Sequence, residues 1–182
     1  MTDNFMWVFG YGSLIWQPGF DPAMRRSARL DGWHRSFCMR SIHHRGTVAE
    51  PGLVLALDRA EGALCHGVAF AVRPGEEEAV LAYLRERELV SSAYFETEQE
   101  IVFEEGGGRA RAVTYVIDPG HEQYCGGLPL EEQARIIARA VGGRGPNSEY
   151  LFNTSAHLAE LGLPDTELEW LSDRVRGLLA GL

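Results

Sequence analysis

Hydrophobic and polar positions change rhythm about two thirds of the way along this chain. Before that point the apolar residues fall in short β-branched and aromatic runs: Phe5 to Phe9, Leu53 to Leu57, Gly67 to Val72, Glu100 to Phe103 and Arg111 to Ile117. Such runs suit strands. Turn-formers such as Asp58-Arg59-Ala60-Glu61-Gly62 and Gly106-Gly107-Gly108 divide them, so five strands are expected. The first run stops at Gly10-Tyr11-Gly12-Ser13, which places a loop at a strand's C-terminal end.

Four helices are expected. The first spans Pro74 to Val90 and opens on Glu76-Glu77-Glu78, where acids meet the positive end of the helix dipole. The others start near Pro129, Asn147 and Asp165. The helix from Leu130 is expected to close on Gly142-Gly143 as a left-handed cap, and the last carries an apolar stripe of Leu168, Leu171, Val175 and Leu178. Strands come first and helices last, without the βαβα alternation of a parallel sheet, which favours an α+β class. The 182 residues fit one domain spanning 1–182, and no internal repeat or low-complexity tract is visible.

Charge narrows the partners. With 17 Lys and Arg against 26 Asp and Glu the net charge is −9, which disfavours affinity for nucleic acid or an anionic membrane surface. No apolar run approaches the roughly eighteen residues of a membrane span, and Met1-Thr2-Asp3-Asn4 lacks the basic start of a secretory leader. A cytoplasmic protein is expected, in which any anionic ligand is held by local groups. Cys38, Cys65 and Cys125 are an odd number at wide spacings, so reduced thiols are expected rather than a dithiol or zinc motif.

Several groups could carry chemistry. The two glycines of Gly10-Tyr11-Gly12-Ser13-Leu14 allow close approach to a ligand, yet the segment lacks the third glycine of a dinucleotide loop and the Gly-Lys-Ser/Thr of a phosphate loop. Nor is Ser13 a nucleophile elbow, since Ile15 stands where the second glycine belongs. Leu81, Leu84 and Glu88 share a helix face, so Glu88 is either partly desolvated, with a raised carboxyl pKa suited to proton transfer, or solvated and paired with Arg85 or Arg87. His34, His43, His44 and His66 lack the spacing of a metal site, and no metal or cofactor is expected. Gly145 to Tyr150 reads as a turn and helix N-cap, with the Tyr150 hydroxyl turned inward.

The run Val8-Phe9-Gly10-Tyr11-Gly12-Ser13-Leu14-Ile15-Trp16, followed by Pro18 and Phe20, resembles the opening of the ChaC-like glutathione-specific gamma-glutamylcyclotransferases. Gly32 to Phe37, His44-Arg45-Gly46, Pro51-Gly52, Gly67-Val68-Ala69, Tyr83-Leu84, Arg87-Glu88, Tyr94 and Asn147 to Leu151 are similar to that family's pattern in the same order. One departure is Ser92-Ala93 ahead of Tyr94, where the pattern has a glycine.

The resemblance implies a small mixed β-barrel with surrounding helices. It also implies that the loop of Phe9, Gly10, Tyr11, Gly12, Ser13 and Leu14 binds the γ-glutamyl portion of the substrate and that Glu88 is the catalytic acid/base. Tyr94, Tyr115 or Tyr150 would orient the substrate, and Arg35 or Arg45 would meet a substrate carboxylate. The implied reaction is a lyase step of glutathione catabolism: the glutamyl α-amine attacks its own γ-carbonyl, closing 5-oxoproline and expelling cysteinylglycine. No enzyme nucleophile is needed. Competing readings are a cyclotransferase for other γ-glutamyl amino acids or amines, a non-catalytic γ-glutamyl-binding regulator, and a cysteine hydrolase using Cys38 or Cys125.

Overall fold

The computed structural model describes residues 4–89, 92–163 and 165–181. In chain order the elements are β1 (Met6–Gly10), α1 (Ser13–Trp16), β2 (Met24–Ser41), β3 (Gly52–Val72), α2 (Glu77–Glu88), β4 (Tyr94–Phe103), β5 (Arg109–Ile117), α3 (Leu130–Arg139), β6 (Val141–Gly142), β7 (Gly145–Pro146), α4 (Asn147–Glu160) and α5 (Thr166–Ala180). Five strands close into a barrel in the order β1-β3-β2-β4-β5. Its pairing is mixed, for β1 runs antiparallel to β3 and parallel to β5. The expected α+β barrel with helices is therefore the fold.

Contacts divide the chain into two compact units, Met1–Arg35 with Leu57–His121, and Ser36–Ala56 with Glu122–Leu182. In the first unit the period-two alternation of each strand separates two apolar clusters. Trp7, Phe9, Leu30, Leu57, Ala71, Ile101, Phe103 and Val116 come from all five strands and form one of them. Trp7 meets Phe103 edge-on with ring centroids 5.0 Å apart. Side chains of opposite parity, Val8, Val72, Val113 and Tyr115, form the other with Leu14 and with Val80 and Leu84 of α2. β1 is thus buried on both faces, which is why it reads as an unbroken apolar run.

In the second unit α3, α4 and α5 pack together through Ile137, Leu151, Leu158, Leu168, Leu171 and Val175, all at most 3% exposed. Arg174 donates to Glu131 at 2.7 and 2.8 Å and, with help from Arg135, draws that carboxyl down to about 2. Asp165 caps α5 by accepting from the N–H groups of Glu167 and Leu168. The expected stripe on α5 holds, with Leu178 at its half-buried end.

Five expectations are corrected. β2 is absent from the sequence reading because its first half is polar and largely exposed, buried Arg35 and Ser41 interrupt the apolar positions of its second half, and Gly32, at φ +86°, breaks the alternation midway. Leu53 to Leu57 and Gly67 to Val72 are not two strands split by a turn but parts of the single strand β3. The polar stretch from Asp58 to Gly62 lies inside this strand. α3 ends at Arg139 rather than at a glycine cap: Ala140 is extended, and Gly142 sits in the β6-β7 hairpin. α4 starts at Asn147 as expected, but its cap is Pro146, with no side-chain bond to the helix; the Asn147 amide serves β3, bonding both backbone groups of Leu53 at 2.8 Å. α2 begins at Glu77 and ends at Glu88, while Val90, the expected end, lies outside the described residues.

Ser92, at the departure from the resembled pattern, has φ +54°, the left-handed region in which a β-carbon is strained by about 1–2 kcal/mol. Ser92→Gly is therefore expected to raise the melting temperature by a few degrees in a thermal scan. An unchanged or lower value would show that the strain is relieved elsewhere.

Candidate active site

The loop after β1 is held from several sides. Thr114 Oγ1 donates to the Phe9 carbonyl at 3.1 Å. A β-carbon at Gly67 would lie 2.3 Å from the Gly10 carbonyl oxygen and 2.7 Å from the Phe9 ring, so only glycine lets β3 pass this close. Arg35, 5% exposed, donates from Nε to the Tyr11 carbonyl at 2.7 Å and from Nη2 to the His66 carbonyl. In this structure its guanidinium therefore serves backbone carbonyls.

Phe9 and Leu14 bury their side chains in the two clusters, and Tyr11 is 9% exposed. Of the loop's residues only Ser13 is exposed. A β-carbon at Gly12 would have no heavy atom within 4 Å, which leaves room beside the chain.

Glu88 is the last residue of α2, one turn beyond the fully buried Leu84. Its side chain is 18% exposed, and Arg87 Nε lies 3.4 Å from its Oε1. Both alternatives read from the helix stripe are thus partly realised: the carboxyl is desolvated and it has an arginine neighbour. Burial prevails and raises its pKa, with Arg87 pulling the other way.

A second carboxylate nearby has the opposite fate. Glu96 on β4 receives two bonds from Arg85, each 2.9 Å, and one from the Tyr115 hydroxyl at 2.9 Å. Arg85, followed by the Tyr115 hydroxyl, outweighs burial and lowers its pKa. Tyr115 is pushed up by burial, then by Glu96 and by the charge of Glu88, so it stays a protonated donor. Sequence reasoning missed Glu96, because pairing with Arg85 across a helix and a strand leaves no local signal.

The loop, Glu88 and Tyr94 all belong to the first unit, and the half-buried Tyr94 packs on the cluster that holds Leu14 and Tyr115. Tyr150 belongs to the second unit, where its hydroxyl accepts from the Leu55 N–H at 3.2 Å and its ring meets Phe37 edge-on at 6.0 Å. Arg45 there donates to the Pro146 carbonyl at 3.1 Å. His66 bonds Glu104 at 2.7 Å. Among the described residues no cluster of His, Cys, Asp or Glu has the makings of a metal site.

The sequence pattern of the ChaC-like protein family matches residues 6–178. The chain is 36% identical over 175 residues to the glutathione-specific gamma-glutamylcyclotransferase of Escherichia coli, covering 96% of this chain and 74% of that one. It is also 36% identical to gamma-glutamylcyclotransferase 2-3 of Arabidopsis thaliana, covering 96% and 90%. Its fold superposes on the crystal structure of the yeast gamma-glutamylcyclotransferase specific to glutathione with a TM-score of 0.82 and 26% identity, over 96% of this chain and 97% of that one. The family match begins at the first residue of β1 and runs into α5, taking in the glycine loop and the carboxyl-bearing helix end alike, and the chain therefore belongs to the ChaC-like family.

Proposed function

We propose that this protein is a glutathione-specific gamma-glutamylcyclotransferase, converting reduced glutathione to 5-oxoproline and cysteinylglycine. The observation that carries the reading is the contrast between two carboxyls on neighbouring elements. Glu96 is pinned in its ionised form by Arg85 and Tyr115, whereas Glu88 is buried and raised. Groups whose environments push their pKa values apart divide the acid/base labour, and the raised one is the better suited to accept a proton and return it. The relatives that act on glutathione supply the substrate class.

On this reading Glu88 takes a proton from the substrate α-ammonium. The freed amine attacks the γ-carbonyl, a C–N bond forms, and the carbonyl oxygen gathers negative charge. Backbone N–H groups around Tyr11, Gly12 and Ser13 steady that charge, with Gly12 leaving space for the approach. When the tetrahedral centre collapses, Glu88 returns its proton to the leaving nitrogen, the bond to cysteinylglycine breaks, and the second proton of the ring nitrogen passes to the freed amine, which departs as its ammonium. Holding the γ-glutamyl chain folded for ring closure is the protein's other contribution, since an intramolecular attack gains most from orientation. Tyr94, beside Leu14 and Tyr115, lines the substrate.

Because Glu88 must start ionised, kcat/KM is expected to fall on the acid side at a pH above the ordinary carboxylate range, following its raised pKa. The reading is tested by offering the purified protein reduced glutathione and γ-glutamyl-alanine side by side. Turnover of glutathione, with γ-glutamyl-alanine slower by about tenfold or more, supports it. Equal or faster turnover of γ-glutamyl-alanine points to a broader cyclotransferase, and binding of glutathione without products points to a regulator.

A further inference from the structure

α1 is a single turn, closed by Ile15 N–H to the Gly12 carbonyl at 2.9 Å and Gln17 N–H to the Ser13 carbonyl at 2.8 Å. So short a helix does not hold itself in water, because fixing the first turn costs more than its few bonds return. Besides the burial of Leu14 and Ile15, it is supported by one side chain 70 residues away. Arg87 Nη2 donates to Ser13 Oγ at 3.1 Å, at the start of the turn, and Nη1 donates to the Gln17 carbonyl at its end. The same Nη1 reaches Tyr83 Oη at 3.2 Å, and Nε faces Glu88 Oε1 at 3.4 Å.

Each guanidinium nitrogen is therefore engaged, two of them with the segment that follows the glycine loop and the third with the carboxyl. Arg85, two residues earlier, is turned to Glu96 instead. We infer that Arg87 is a positioning residue that fixes the Gly10 to Leu14 loop in register with the Glu88 carboxyl. The inference rests on the reading of Glu88 as the acid/base. A lysine cannot replace it, for an ammonium is a point charge without the planar fork that spans Ser13, Gln17 and Glu88 together.

Among the described residues, the charged and titratable groups shown to act on Glu88 are Arg87 and Tyr115. Arg87 lies on its own helix, Tyr115 faces it from β5, and Tyr115 in turn bonds Glu96 of β4, which Arg85 neutralises. Removing the Arg87 charge leaves the neutral Tyr115 as its neighbour, so Glu88 then titrates at higher pH.

The test compares wild type, Arg87→Lys, Arg87→Gln and Glu88→Gln. The readouts are kcat/KM for reduced glutathione across pH and the carbon-13 carboxyl titration of Glu88, with Glu88→Gln assigning the signal. Expected are a fall of about 10- to 100-fold in kcat/KM for both arginine variants, as misplaced groups cost, and a higher Glu88 midpoint in Arg87→Gln alone. A loss of activity without a shifted midpoint means a merely structural role and overturns the inference. So does a shifted midpoint with Arg87→Lys within about twofold of wild type, a difference too small for a lost positioning contact. If wild type yields no products, or Glu88→Gln keeps its rate, the acid/base reading fails instead, and the midpoint in Arg87→Gln separately decides whether Arg87 governs the carboxyl.

Discussion

Glu88→Gln is expected to lose turnover by about 10²- to 10⁴-fold, the usual worth of a positioned proton-transfer group, while becoming more stable than wild type at neutral pH. The two effects share one cause. Burial raises the Glu88 pKa in the folded chain, so the folded state binds that proton more tightly than the unfolded chain does. Stability from such a group is complete below the unfolded pKa and is lost as pH rises through the folded one. At neutral pH wild type therefore carries an unfavourable buried charge, which glutamine, nearly the same in shape, lacks. Thermal scans at neutral and acid pH should show the variant melting higher at neutral pH, with the gap narrowing in acid. Activity within tenfold of wild type would remove Glu88 from the mechanism, and a lower melting temperature at neutral pH would contradict its desolvation.

Asn147→Ala is expected to cost more stability than the other substitutions considered. Asn147 is fully buried, and its side chain imitates a neighbouring strand: Oδ1 accepts from the Leu53 N–H and Nδ2 donates to the Leu53 carbonyl, both at 2.8 Å. Leu53 is itself 0% exposed, so water cannot take over. Stranding a buried donor and a buried acceptor costs about 1–3 kcal/mol each. That corresponds to a fall in melting temperature of roughly 10 °C for a chain of this size. Asn147→Asp should also destabilise, because it keeps an acceptor but sets a carboxylate against the Leu53 carbonyl. Thermal denaturation of both variants checks this, and a fall of only a degree or two in Asn147→Ala would mean that the two Leu53 groups find other partners.

Features whose cause is local were legible in the sequence. β1 shows as an apolar run because both its faces are buried, and α5 shows as a stripe because only one of its faces is. The place of Glu88 on the face of Leu81 and Leu84 was visible too, but that stripe left open whether its carboxyl is desolvated or solvated and paired with an arginine. What stayed hidden depends on partners far along the chain. β2 gains its extended form from β3 and β4, against a polar first half and a glycine in its middle. Asn147 looked like a helix cap because caps and strand mimics use the same side chain, and only the position of Leu53 tells them apart. The links of Arg87 to Ser13 and of Arg85 to Glu96 join an amphipathic helix to a loop and a strand, which periodicity does not register.

The central claim is that the substrate amine, rather than water or an enzyme thiol, attacks the γ-carbonyl. The most direct measurement incubates the purified protein with reduced glutathione in oxygen-18 water and follows all products by mass spectrometry. The account predicts 5-oxoproline and cysteinylglycine in equal amounts, no glutamate, no labelled γ-carboxylate and no sensitivity to thiol alkylation beyond that of the substrate. Glutamate carrying oxygen-18 in its γ-carboxyl would mean hydrolysis, and would contradict both the cyclisation and the role given to Glu88.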